Sequence, residues 1–215
     1  MDEDTNPHDF EKLTPDTIIT AVEQALNVEL TGLTSPLNSY INRVFELEAT
    51  DGTRLIAKFY RPNRWTDDAI VDEHMFILDC EEAEIPVIAP LDLNDSYTVG
   101  DAEGIVFAIY PKRHGRMFEF VEDEDWRRLG RLLGRVHRCG AEYDAEHRVI
   151  LHPAQSTAGH IDTLLDEGFI PPHLEEAFAV ITSDLMELIE PMFDNAEYIR
   201  IHGDCHTANV LHPDD

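Results

Sequence analysis

The stretch "VFELEATDGTRLIAKFYRP" constrains the fold more than any other part of the chain. Asp51-Gly52 sits between two runs rich in β-branched and aromatic residues, and that dipeptide is the strongest short-range hairpin signal. Val44, Phe45 and Leu47 fall in one strand, and Leu55 to Tyr60 form the other, stopped by Pro62. A hairpin cannot bury its apolar face alone, so more strands or a helix must cover it. The flanking segments supply both. "TPDTIITAVEQAL" offers Thr14 or Asp16 as a cap, with Ile18, Ile19, Val22 and Leu26 at helical spacing. "WTDDAIVDEHMFILDCEE" offers Thr66 as a cap and Asp67 and Asp68 for the positive end of a helix. In it Ile70, Glu73 and Ile77 recur at spacings of 3 and 4, which places Glu73 on an apolar stripe.

Ile85-Pro86-Val87 and Ala89-Pro90-Leu91 read as short extended pieces, and "GIVFAIYP" as an apolar strand ended by Pro111. From Glu122 the pattern turns helical. Trp126, Leu129, Leu132, Leu133 and Val136 mark one face of an amphipathic helix, and Leu174 to Glu190 form another. Tyr198 to Ile201 read as a short strand, and Val210-Leu211 as the start of a second. The fold class is α+β. The expected division is a β-rich lobe over 1–111 and a helical region over 112–215, with the change between Tyr110 and Gly115.

Composition removes several functions. With 44 Asp and Glu against 16 Lys and Arg, the net charge is −28, which rules against nucleic acid as a partner, because phosphate contacts need a basic footprint. No apolar run approaches the roughly 20 residues that cross a membrane, and "MDEDTNPHDF" has neither the basic start nor the apolar core of a signal peptide. Cys80, Cys139 and Cys205 lie far apart without a C-x-x-C, so reduced thiols and a cytoplasmic setting are expected. Lys12, Lys58 and Lys112 are the only lysines, and an acidic, lysine-poor surface suits a solvent of high salt.

Chemistry concentrates in "HGDCHTAN". His202, Asp204 and Asn209 fit H-x-D-x-x-x-x-N, in which the Asp accepts a hydroxyl proton and the Asn holds a magnesium ion during phosphoryl transfer. The same loop allows two other readings: a polar loop with a hydrogen-bonded histidine, or a zinc site of His202, Asp204 and His206 serving a hydrolase. Lys58 stands alone inside an apolar strand pattern. It is either a solvent-facing lysine or the phosphate-contacting lysine of a kinase strand. Glu73, fifteen residues later, is either an exposed helix carboxylate or the partner that such a lysine needs. The order Lys58, Glu73, apolar strand, H-x-D-x-x-x-x-N favours a kinase, since metal hydrolysis leaves the first three unexplained.

"LTPDTI", "GLTSPLNSYINRVFEL", "KFYRPNRWT", "EH", "IPVIAPL" and "IHGDCHTANVL" resemble, in order and spacing, the aminoglycoside phosphotransferase-like kinases, and within them the bacterial stress response kinase A type. The resemblance runs from about Leu13 to the last residue. It implies a bilobal protein-kinase-like fold and a cytoplasmic Ser/Thr protein kinase that uses ATP and Mg²⁺, is linked to envelope stress, and acts on a protein hydroxyl; a monomer with no membrane contact is expected. It further implies that Asn38, Ser39 and Tyr40 lie over the phosphates, with Ser39 touching nucleotide. Lys58 and Glu73 pair, the backbone of Ile109, Tyr110 and Lys112 holds adenine, Asp204 takes the proton and Asn209 binds magnesium. Members of the type carry a second magnesium aspartate in an I-D-F-D or V-D-L-D strand. Asp214 and Asp215 have no apolar strand around them, so the expectation is a kinase truncated ahead of that motif, inactive as 215 residues, with Val210 and Leu211 unpaired at a sheet edge. The alternatives are a small-molecule kinase for an aminoglycoside, choline or homoserine, and a nucleotide-binding fragment without turnover.

Overall fold

The structure, a computed structural model, describes residues 10–94 and 97–212. Asp214 and Asp215 therefore lie outside the described residues. The hairpin forms as expected. β2 (Arg43–Ala49) and β3 (Arg54–Phe59) pair antiparallel with Val44 opposite Lys58, Phe45 opposite Ala57 and Leu47 opposite Leu55. Gly52 N donates to Ala49 O at 2.9 Å, and Thr53 N donates to the Asp51 carboxylate at 2.8 Å, so the Asp supplies the turn's acceptor.

β1 (Leu30–Leu37), β4 (Gly100–Ala102) and β5 (Ile105–Pro111) complete a five-stranded sheet in the order β1-β2-β3-β5-β4. β1 carries Gly32 and Pro36 and has no clear alternation, so sequence reading passes over it. It is an edge strand, where a missing N–H is tolerated. Ile85–Leu91 forms no strand. Pro86 and Pro90 cannot donate to a ladder, although Leu91 N does donate to Ile109 O at 2.7 Å.

Period-2 alternation decides what each face of the sheet meets. Leu55, Ala57, Phe59, Ile105, Phe107 and Ile109 point to one face and pack on Ile18, Ala21 and Val22 of α1 (Pro15–Leu26). Thr14 Oγ1 caps that helix by accepting from Thr17 N at 3.2 Å. Lys58 lies on the opposite face, as do Val106, Ala108 and Tyr110. Ile70 of α2 (Asp67–Glu82) covers that face, packing with Tyr60 and Ala108. Thr66 caps α2 by accepting from Ala69 N at 3.2 Å.

The chain divides into two compact units. One runs to His147 and resumes at Arg200; the other is Arg148–Ile199. The first holds the sheet, α1, α2 and α3 (Asp123–Gly140). Phe76, Cys80, Leu132, Val136 and Cys139 form a small core between α2 and α3, while Trp126 is exposed and stacks on Phe120 at 4.4 Å. β6 (Arg116–Met117) pairs with β7 (Leu211–His212), and Phe118 N donates to Val210 O at 3.0 Å. Val210 and Leu211 are thus partnered, contrary to the expectation of a bare edge. The Tyr198–Ile201 strand does not form, because Arg200 turns inward toward α2 and α3 instead. The second unit contains a π-helical turn at Pro153–Thr157, α4 (Ala158–Asp166), which sequence periodicity missed, and α5 (Glu175–Ile189). Among the described residues no helix is long and apolar enough to cross a membrane.

Candidate active site

Strand register places Lys58 under α2, and the helix turns Glu73 toward it. Lys58 Nζ lies 3.0 Å from Glu73 Oε1, with both side chains about a quarter exposed. The ammonium also sits 4.4 Å from the centre of the Tyr60 ring, a cation–π contact that reinforces its position. The solvent-facing reading of Lys58 therefore gives way to the paired one.

Behind this pair lies a polar cluster that sequence reading missed. His74, beside Glu73, is fully buried. Its Nε2 is 2.9 Å from Tyr60 Oη and 3.2 Å from Tyr110 Oη, and its Nδ1 is 2.7 Å from Thr98 Oγ1. A neutral ring satisfies both sides in either tautomer, because hydroxyls donate as well as accept. Burial, with the Lys58 charge in support, pushes His74 down to about 4, against the opposing pull of Glu73. Burial also pushes the Tyr110 phenol up. The available signal was two tyrosines at the ends of apolar strands, since a buried Tyr hydroxyl needs a partner.

The H-x-D-x-x-x-x-N loop closes on itself. Gly203 has φ +74°, a left-handed conformation that side-chain-bearing residues rarely adopt, and this turn follows His202 directly. Asp204 N donates to His202 Nδ1 at 3.2 Å, and His206 N donates to Asp204 O at 3.0 Å. A 3₁₀ turn at Thr207–Asn209 then brings Asn209 back. Its Nδ2 donates to Asp204 O at 2.8 Å and to Oδ2 at 3.3 Å. The Asp204 side chain is 77% exposed. The Asn209 nitrogen is thus turned to Asp204, and its amide oxygen points to the other side of the amide.

The zinc reading fails on this geometry. His202 and His206 each spend Nδ1 on loop backbone, accepting from Asp204 N and Ala208 N, and among the described residues no three His, Cys, Asp or Glu side chains gather into a metal-binding group. Mg²⁺ shared with phosphates keeps few protein ligands, and the Asn209 amide oxygen fits as one of them, with Asp204 left free of metal.

Ser39 lies half-buried in the β1–β2 loop, and Tyr40 beside it is 71% exposed. Some backbone groups of the strand end expected to hold adenine bond within the sheet. Ile109 O accepts from Leu91 N, Tyr110 pairs with Ile56 in the ladder, and Lys112 N donates to Arg54 O at 3.0 Å. The Lys112 ammonium pairs with Glu46 on β2, a partnership absent from the sequence reading. The hydrogen bond from Lys112, then the charges of Lys112 and Arg54, hold Glu46 below the usual carboxylate range.

Residues 33–215 match the Phosphotransferase enzyme family. The chain belongs to that family. As a phosphotransferase family member it is 38% identical over 204 residues to "Stress response kinase A" of Escherichia coli O157:H7, covering 94% of this chain and 61% of the relative. It is 36% identical over 208 residues to "Serine/threonine protein kinase RdoA" of Salmonella typhimurium, covering 96% of this chain and 62% of that one. It thus spans about three-fifths of the curated relatives' length. Among solved structures, an amicoumacin kinase in complex with AMP-PNP and Ca²⁺ matches with a TM-score of 0.75 at 17% identity, covering 97% of this chain and 63% of the other. Spectinomycin phosphotransferase in complex with ADP matches with a TM-score of 0.64 at 13% identity, covering 93% and 65%. At those identities the likeness establishes the protein-kinase-like α+β fold.

Proposed function

We propose that this chain carries the nucleotide-binding and proton-accepting parts of an ATP-dependent Ser/Thr protein kinase of the stress-response type, working in the cytoplasm. The observation that carries the reading is the Lys58–Glu73 pair at 3.0 Å, in the same compact unit as the Asp204–Asn209 loop. Glu73 holds the Lys58 ammonium where it can neutralise phosphate oxygens. Ser39 reaches the phosphates from the β1–β2 loop. Asp204, exposed and hydrogen-bonded through its backbone to Asn209, accepts the proton of the attacking hydroxyl. Bound Mg²⁺ would supply charge neutralisation between the phosphates, with Asn209 as one of its ligands. The base is placed at the strand end of Ile109, Tyr110 and Lys112, where Ile109 O and Lys112 N already bond within the sheet and the remaining backbone groups would meet it. The relatives at 36–38% identity bear kinase names, one of them a Ser/Thr protein kinase, which supports a protein hydroxyl as acceptor. Those relatives extend well beyond the matched region, so complete transfer is assigned to the whole protein.

The test is titration of the 215-residue chain with Mg·AMP-PNP, followed by transfer of labelled phosphate from ATP in the whole protein. Wild type should bind, and Lys58→Ala should weaken binding about tenfold or more, as loss of a charge-assisted phosphate contact predicts. In the whole protein Asp204→Asn should abolish transfer while leaving AMP-PNP binding intact. Equal binding by wild type and Lys58→Ala would remove the phosphate role. Transfer to an aminoglycoside, choline or homoserine in place of a Ser/Thr peptide would overturn the substrate assignment.

A further inference from the structure

Arg200 stands four residues ahead of Asp204 and is one of the most buried charges in the described chain, with its side chain only 7% exposed. Its Nη1 donates to Asp79 Oδ2 at 2.6 Å, and its Nη2 donates to Cys139 O at 3.3 Å. The guanidinium lies 4.7 Å from the Phe76 ring and 5.5 Å from the Tyr143 ring. Its backbone is fixed as well. Arg200 N donates to Gly140 O at 3.1 Å, and the carbonyl approaches Gly140 so closely that a Cβ there would meet Arg200 O at 2.0 Å. Only glycine permits that approach.

Asp79 and Phe76 belong to α2, the helix that presents Glu73 to Lys58. Asp79 follows Glu73 by six residues, about 9 Å along the axis and roughly a third of a turn around it. One stiff helix therefore carries two charge pairs, one at the phosphate-binding lysine and one at the root of the catalytic loop. A desolvated Arg–carboxylate pair with further hydrogen bonds resists displacement, because parting it leaves a buried charge unpaired.

We propose that Asp79 and Arg200 are positioning residues that fasten the loop bearing Asp204 and Asn209 to α2, so that the Lys58–Glu73 pair and the loop move as one body. The role given to the loop rests on the function proposed above. The fastening itself does not, and it is testable without nucleotide.

Amide hydrogen exchange on the 215-residue chain decides it. The reporters are Asp204, His206, Ala208, Asn209 and Val210, whose N–H groups all bond within the loop. Asp79→Asn removes the charge and keeps the shape. It should speed exchange at these five amides about tenfold, as local opening does, with the β2–β3 hairpin unchanged. Asp79→Glu, which restores the carboxylate, should return the loop most of the way to wild type. Asp72→Asn is the control: Asp72 sits on the same helix but accepts from His147 N at 2.7 Å, so its loss should leave the loop alone. Adding AMP-PNP to wild type should slow exchange around Lys58 and in the loop together; in Asp79→Asn it should slow only the former. A loop change below threefold in Asp79→Asn overturns the proposal. So does an equal rise throughout the sheet, which would make Asp79 a general support of the fold. If AMP-PNP alters nothing in wild type, the proposed function fails, while the nucleotide-free comparison still decides the fastening.

Discussion

Replacing His74 with glutamine removes the one fully buried histidine among the described residues and leaves a side chain that cannot titrate. In the native fold this ring resists protonation until about pH 4, whereas the ordinary value is 6.5. The folded value is the lower one, so between those two limits the unfolded chain binds a proton that the native chain refuses. Native stability is therefore complete above pH 6.5 and is lost as pH falls toward 4. Each pH unit in that interval is worth ~1.4 kcal/mol, giving on the order of 3 kcal/mol in all. Glutamine carries no such dependence. At pH 7.5 it should cost about 1–3 kcal/mol, because Tyr60, Tyr110 and Thr98 lose a well-matched partner. The assay is urea unfolding of wild type and His74→Gln at pH 7.5, 6.0, 5.0 and 4.0 in 1 M KCl. Subtracting the variant's curve cancels the carboxylates common to both. The wild-type advantage should shrink by about 3 kcal/mol across the series, and the order should approach equality or reverse at pH 4. An advantage that stays constant within about 0.5 kcal/mol would show that His74 is not held neutral, and the buried cluster would be wrongly drawn.

Two further outcomes follow from charge and burial. With a net charge of −28, the melting temperature should rise as KCl is raised to molar concentrations, where the screening length falls to about 3 Å; a flat or falling dependence would refute a surface adapted to salt. Cys205 is exposed, whereas Cys80 and Cys139 are buried with their sulfurs 3.7 Å apart, and burial pushes Cys80 up to about 12. A thiol reagent at pH 8 should therefore label one cysteine in the native chain and all three in guanidinium, and rapid native labelling of a second would contradict the packing of α2 on α3.

The sequence by itself determined the elements whose signals are local. The Asp51-Gly52 turn, the Thr14 and Thr66 caps, the even-numbered placement of Lys58 and the five-residue step from Asp204 to Asn209 all depend on neighbours along the chain. Such features carry their physics in a few consecutive residues, and the structure reproduces them. What only tertiary structure decided are the contacts between residues far apart in sequence. Glu46 meets Lys112 across 66 positions, Arg200 meets Asp79 across 121, and His74 meets Tyr110 across 36. "YIRIH" has the apolar look of a strand, yet Arg200 is drawn inward because a carboxylate and two rings await it between α2 and α3. Likewise nothing local in the sequence tells that the Ile109 carbonyl accepts from Leu91, which arrives from the Pro86–Pro90 segment. Periodicity tells a residue which face it occupies; only packing tells it what lies opposite, because that depends on elements whose distance in sequence leaves no local trace.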